Sequence, residues 1–244
     1  MRHITIMDVP FLFTTQKAFS SLLAERIEKK LKTFVITANP EIVMMAKENP
    51  AIKENVKRAT YVVADGIGII KASQLLNNPL PERVTGYDTM MQLLPIADKR
   101  SYRIFLLGAQ QETLEKTENA LKNRYSSIQI VGKHHGFFEM TSKHVTDQIM
   151  EASPDITFVA LGAPRQEEWI ARNLSALPNG LYIGVGGSFD VIAGTVKRAP
   201  IIFQKLNLEW FYRLVKQPSR WRRMLALPRF AVHILKVKFT RNPL

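Results

Sequence analysis

Residues 60–70 read TYVVADGIGII. A β-branched apolar run, Tyr61 to Ala64, ends in one carboxylate, Asp65, and Gly66-Ile67-Gly68 leads into a second apolar segment. That is the pattern of a buried strand, a tight turn and the start of a helix. The turn calls for glycine because the chain reverses sharply there and something else can approach its backbone. The acid has two readings. Asp is among the best helix N-caps, and a carboxylate at a strand end is also well placed for chemistry.

The same unit recurs along the chain. TFVIT (33–37) precedes ANPEIVMMAKEN, YRIFLLG (102–108) precedes AQQETLEKTENALKNRY, and IQIVG (128–132) follows. DITFVALG (155–162) precedes APRQEEWIARNL, and LYIGVGG (181–187) precedes SFDVIAG. Strands alternating with helices predict crossover units: an α/β, Rossmann-like, mostly parallel sheet with helices on both faces. The strands scarcely alternate in polarity, as expected when both faces are covered. Ligands of such sheets bind beyond the carboxyl ends of the strands. The turns after the strands are therefore the candidate site, together with the segment Glu82–Asp88.

The chain has 244 residues, enough for one sizeable core, and no cysteine, which excludes disulfides, zinc-thiolate sites and a cysteine nucleophile. MRHITIMDVP has no apolar core of a signal peptide, and no run approaches the roughly 18 uncharged apolar residues of a membrane span. The expected location is the cytoplasm, peripheral on the inner face of the cell membrane. The net charge of +13 is uneven. Residues 196–244 carry twelve Lys/Arg against one acid, Glu209, while residues 1–195 hold 22 Lys/Arg and 20 acids. The chain is accordingly expected to divide into a Rossmann-like domain, 1–195, and a basic helical appendage, 196–244. The appendage is expected to be broken at Pro218 and Pro228 and to be amphipathic. It also carries Trp210 and Trp221. Such helices suit an anionic membrane surface, each basic residue adding about 1 kcal/mol near it. A solvated basic face is the plainer reading; nucleic acid is not an expected partner, since no recognition-helix motif is evident.

The individual motifs are less decisive. GVGGS (184–188) can offer backbone N–H groups to a phosphate or mark a close strand–helix crossing. There is no D-x-D and no H-E-x-x-H; the rings of His134 and His135 are expected to point apart on a strand, and no metal site or cofactor is expected. Asp65 and Asp88 are the acids best placed in polar turns. Glu167 and Glu168 fall in the first turn of a helix, where its dipole explains them. Asn39 and Gln166 are amides suited to holding hydroxyls, and Thr37 is a strand-end hydroxyl that can equally be a cap.

T-A-N-P-E, A-D-G-I-G, R-V-T-G-Y-D, F-L-L-G, G-F-F, L-G-A-P-R-Q-E-x-W-I, G-V-G-G-S-F-D-V-I-A-G, K-R-A-P and L-E-W-F-Y-R-L occur in this order from about residue 4 to 225. The set closely resembles the WecG/TagA/CpsF family of glycosyltransferases (family 26), and its TagA branch most. The resemblance implies an inverting, metal-independent transfer of N-acetylmannosamine from a UDP-sugar donor to the 4-hydroxyl of undecaprenyl-diphosphate-linked N-acetylglucosamine, in wall teichoic acid linkage-unit synthesis. It implies Asp65 as general base and Thr37, Asn39, Arg83 and Gln166 as pocket residues, with Arg83 toward a diphosphate and the amides toward sugars. It also implies that Arg213, Arg220 and Arg223 of the appendage reach the active site. Members differ in donor, so N-acetylmannosamine uronic acid and glucuronic acid stay open, as does a non-catalytic nucleotide-sugar binding protein. Apolar patches on the helices leave room for a homo-oligomer.

Overall fold

The computed structural model describes residues 1–218 and 221–241. The chain opens with an antiparallel hairpin, β1 (His3–Ile6) and β2 (Val9–Leu12). It continues through α1 (Gln16–Glu28), β3 (Thr33–Ala38), α2 (Pro40–Glu48), α3 (Pro50–Arg58), β4 (Tyr61–Ala64), α4 (Ile67–Leu75) and α5 (Gly86–Arg100). Next come β5 (Arg103–Gly108), α6 (Gln111–Arg124), β6 (Gln129–His134), α7 (His144–Ala152), β7 (Ile156–Ala160), α8 (Arg165–Asn173), β8 (Leu181–Gly184) and α9 (Ser188–Ile192). The basic stretch holds α10 (Ile201–Lys205), α11 (Glu209–Lys216), α12 (Trp221–Met224) and α13 (Ala226–Arg241).

The six apolar runs read from the sequence are β3 to β8. They form one parallel sheet in the order β4-β3-β8-β7-β5-β6. The expected α/β fold with helices on both faces is present. Period-2 alternation sends side chains to opposite layers: Phe34, Ile36, Phe105, Leu107, Val159 and Tyr182 join one apolar cluster, and Val35, Ile104, Leu106, Phe158, Leu181 and Ile183 the other. β3, β4, β5, β7 and β8 are buried almost throughout, which is why they read as nearly continuous apolar runs, while the edge strand β6 is partly exposed.

The hairpin β1–β2 went unread because its turn, Met7-Asp8, has both residues at positive φ (49° and 65°) without the glycine that usually signals it. The basic stretch is helical, as expected, but Pro228 does not break it. It is the third residue of α13, in the first turn, where its missing N–H costs no helical hydrogen bond. α13 packs against α2 and α4 and buries Phe230 (4% exposed) and Ile234 (2%) in the first apolar cluster. The last helix is thus part of the core as well as of the basic surface. Among the described residues no helix is long and apolar enough to cross a membrane.

Candidate active site

The site is built on the carboxyl ends of β4, β3, β8 and β7. The β3–β4 register pairs Ala38 with Ala64, and the Asp65 amide donates to Ala38 O (2.9 Å), so Asn39 and Asp65 leave the sheet side by side. The Val84 amide donates to Ala64 O (2.9 Å), which lays Arg83 beside the end of β4. A cavity of about 470 Å³ opens here. Thr37, Asn39, Asp65, Arg83, Gln166 and Arg223 all line it, with Lys71, Tyr87, Arg198 and Glu209. The appendage roofs it through Trp210, Met224, Leu227 and Phe230.

Asp65 does not cap its own helix. The N-cap residue of α4 is Gly66, at φ 123°, with no side-chain cap hydrogen bond. Gly66 is required by that backbone angle. Gly68 is required by packing, since a Cβ there would meet Pro40 Cγ at 2.6 Å and push α2 and α4 apart. Asp65 Oδ2 instead accepts a long hydrogen bond from the Gly86 amide (3.4 Å) at the start of α5.

Thr37 and Asn39 each serve the fold while facing the cavity. The Thr37 hydroxyl donates to Gly184 O (3.2 Å), and Asn39 Oδ1 accepts from the Ile42 amide (3.0 Å) as the N-cap of α2. Gln166 is 3% exposed and uses both ends of its amide: Nε2 donates to Glu167 Oε1 (2.8 Å) and Oε1 accepts from the Gly186 amide (3.0 Å). That placement explains part of the GVGGS motif. A Cβ on Gly184 would meet Gln166 Nε2 at 2.4 Å, and the Ser188 amide is taken by Val185 O. Two of the turn's amides are therefore satisfied by the protein, which favours the close-crossing reading over a phosphate cradle.

The arginines are paired with acids. Arg83 Nη1 meets Glu209 Oε2 at 2.7 Å. Arg223 Nε meets Glu41 Oε1 at 2.6 Å, and its Nη2 donates to Ala163 O (2.9 Å). Arg220 and the side chain of Arg213 lie outside the described residues. Arg198, in the K-R-A-P motif, was not singled out from the sequence; its Nη2 meets Asp88 Oδ1 at 2.9 Å.

Glu167 departs from its sequence reading. Glu168 is a solvent-facing first-turn acid, but Glu167 is 3% exposed and its Oε2 has no hydrogen-bond partner among the described residues. Loss of water pushes its pKa up from 4.5 to about 7, aided by Glu41 and opposed by the Gln166 hydrogen bond and Arg223. A raised folded pKa means that this group's stabilisation is complete below pH 4.5 and is lost as pH rises through about 7. The loss amounts to about 3 kcal/mol at pH 8. Denaturant titrations at pH 5 and pH 8 are expected to show Glu167→Gln losing less stability than wild type by that amount; an equal loss in both would contradict it.

His134 and His135 do not point apart. β6 ends at His134, and the two rings lie 4.6 Å apart, with His144 and Phe138 also against His134. Among the described residues no group of three His, Cys, Asp or Glu is gathered to hold a metal ion.

The family model of the "Glycosyl transferase WecG/TagA/CpsF family" matches residues 4–243. The chain belongs to this family. It is similar to the N-acetylglucosaminyldiphosphoundecaprenol N-acetyl-beta-D-mannosaminyltransferase of Bacillus subtilis (strain 168), at 38% identity over 97% of this chain and 92% of that protein. It is also similar to the proteins of that name from Bacillus spizizenii W23 (39%, over 89% and 84%) and Staphylococcus aureus MW2 (42%, over 84% and 80%). In this WecG/TagA/CpsF glycosyltransferase, Asp65 and the arginine-rich cavity lie where open α/β sheets bind ligands.

Proposed function

We propose that this chain transfers N-acetylmannosamine from UDP-N-acetylmannosamine to the 4-hydroxyl of N-acetylglucosamine on undecaprenyl diphosphate, with inversion, in wall teichoic acid linkage-unit synthesis. The observation that carries this reading is the juxtaposition of Asp65 with Arg83, Arg198 and Arg223 in one cavity. The printed names of the relatives supply the sugar and the acceptor.

The chemistry is a single displacement. Asp65 takes the proton of the acceptor hydroxyl as that oxygen bonds to the anomeric carbon, and the bond from that carbon to the diphosphate oxygen breaks. The diphosphate leaves with its electron pair, and guanidinium groups stabilise the developing charge through paired N–H donors. In this reading the guanidinium groups supply the counter-charge to the diphosphate. The acceptor lipid stays in the bilayer while its head group enters the cavity, so the appendage that roofs the cavity is also the part that docks on the anionic inner face. Support for docking comes from its charge and from exposed Ile201, Ile202, Leu206, Phe211 and Trp221.

The test is release of UDP from UDP-N-acetylmannosamine, with and without a prenyl-diphosphate-N-acetylglucosamine acceptor and with no metal added. Acceptor-dependent release is expected. Release only from the uronic acid or glucuronic acid donor moves the donor assignment, and silence with all three contradicts the transferase.

A further inference from the structure

Arg83 and Arg198 share one carboxylate, and it comes from the appendage. Glu209, the first residue of α11, places Oε2 2.7 Å from Arg83 Nη1 and Oε1 3.5 Å from Arg198 Nε. Arg198 is held from its other side. Its Nη2 meets Asp88 Oδ1 at 2.9 Å, and its guanidinium stacks 4.5 Å from the centre of the Tyr87 ring. Asp88 is itself fixed, because Oδ2 accepts from the hydroxyl of Thr85, the N-cap of α5 (2.8 Å). Arg83, Tyr87, Arg198, Glu209 and Asp65 all face the same cavity.

We propose that Arg198 and Arg83 together grip a diphosphate, and that the Glu209 carboxylate occupies the place of that anion until substrate arrives. Two guanidinium groups converging on a pair of carboxylate oxygens present the donor pattern that diphosphate oxygens use. Among the described residues the cluster is neutral as it stands, two arginines against Asp88 and Glu209. A diphosphate cannot share the two guanidiniums with Glu209, because like charges at hydrogen-bond distance repel. Asp88 is tied into the α5 cap and stays; Glu209 is on a separate short helix and leaves. Binding of the anion therefore detaches the start of α11 from Arg83, coupling substrate entry to movement of the roof. The rival account is that the ion pairs merely anchor α11. The two differ in sign: removing an anchor leaves anion affinity unchanged or lower, and removing a competing anion raises it.

The inference rests on the transferase reading only for the source of the diphosphate, so inorganic pyrophosphate is the first probe. Calorimetric titration of the full chain is expected to show Glu209→Gln binding pyrophosphate about tenfold tighter than wild type, and Arg198→Gln about tenfold weaker. UDP and a short prenyl-diphosphate-N-acetylglucosamine, titrated in parallel, separate the two sources: the one that follows the pyrophosphate pattern is the natural occupant. In the wild type, saturating pyrophosphate is expected to shift the emission of Trp210, the neighbour of Glu209 in the cavity wall. This readout stands even if Glu209→Gln fails to fold, with Trp210→Phe as its control. Unchanged or weaker binding by a folded Glu209→Gln, or no emission change at saturation, overturns the proposal. The pyrophosphate shifts without any sugar transfer would instead sink the transferase reading and leave this one standing.

Discussion

Asp65→Asn is expected to lower kcat for sugar transfer by about a thousandfold, the range a positioned general base contributes, and to leave UDP binding nearly unchanged. The reasons are local. Asn keeps an oxygen that can accept from the Gly86 amide, so the turn and the start of α5 have no cause to move. The α4 cap is Gly66, so no helix terminus is lost. What disappears is the ability to hold a proton at the point where the acceptor hydroxyl must lose one. Steady-state kinetics with the lipid-diphosphate acceptor and calorimetric titration with UDP check the two halves. A variant that turns over at nearly the wild-type rate would remove Asp65 from the chemistry and return it to a structural role.

The second large effect concerns the membrane. Deleting residues 196–244 is a poor test of docking, since it strips Phe230 and Ile234 from the core. Ile202→Glu with Leu206→Glu is a cleaner one. Both side chains are more than 60% exposed, they are one turn apart, and neither lines the cavity. Each anchor withdrawn from a bilayer forfeits roughly 1–2 kcal/mol, and the added charges are repelled by anionic lipid. The pair is expected to weaken binding to anionic vesicles by about a hundredfold or more. Transfer to acceptor embedded in those vesicles should fall in parallel, while transfer to a water-soluble acceptor analogue should hold. Vesicle co-sedimentation and the two activity assays decide it. Undiminished vesicle binding would place the docking surface elsewhere.

The legible and the hidden parts of this chain differ in how far apart in sequence their causes lie. The sheet was readable because five of its six strands are buried on both sides and say so in their own four to six residues, the edge strand β6 being the exception. Asp65 was readable as a candidate because a carboxylate closing an apolar run is a local anomaly. Its release from capping duty was not readable, since it depends on Gly66 adopting φ 123° and on α5 beginning next to the end of β4. Glu167 looked like an ordinary first-turn acid; its burial comes only with the folded chain, which also brings the charges of Glu41 and Arg223 to it from distant helices. The Arg198 cluster joins residues 110 positions apart, and no local spacing announces it. K-R-A-P was visible as a motif, but which of its residues mattered was fixed only by the fold. His134 and His135 misled because the strand ends between them.

The most direct test is the stereochemistry of the product. Wild-type protein is given UDP-N-acetylmannosamine and a prenyl-diphosphate-N-acetylglucosamine, and the anomeric linkage of the resulting disaccharide is read by NMR beside Asp65→Asn. A single displacement with Asp65 as base predicts a β-1,4 linkage from the wild type and almost no product from the variant. An α linkage, or a glycosyl group found covalently attached to the protein, would contradict it.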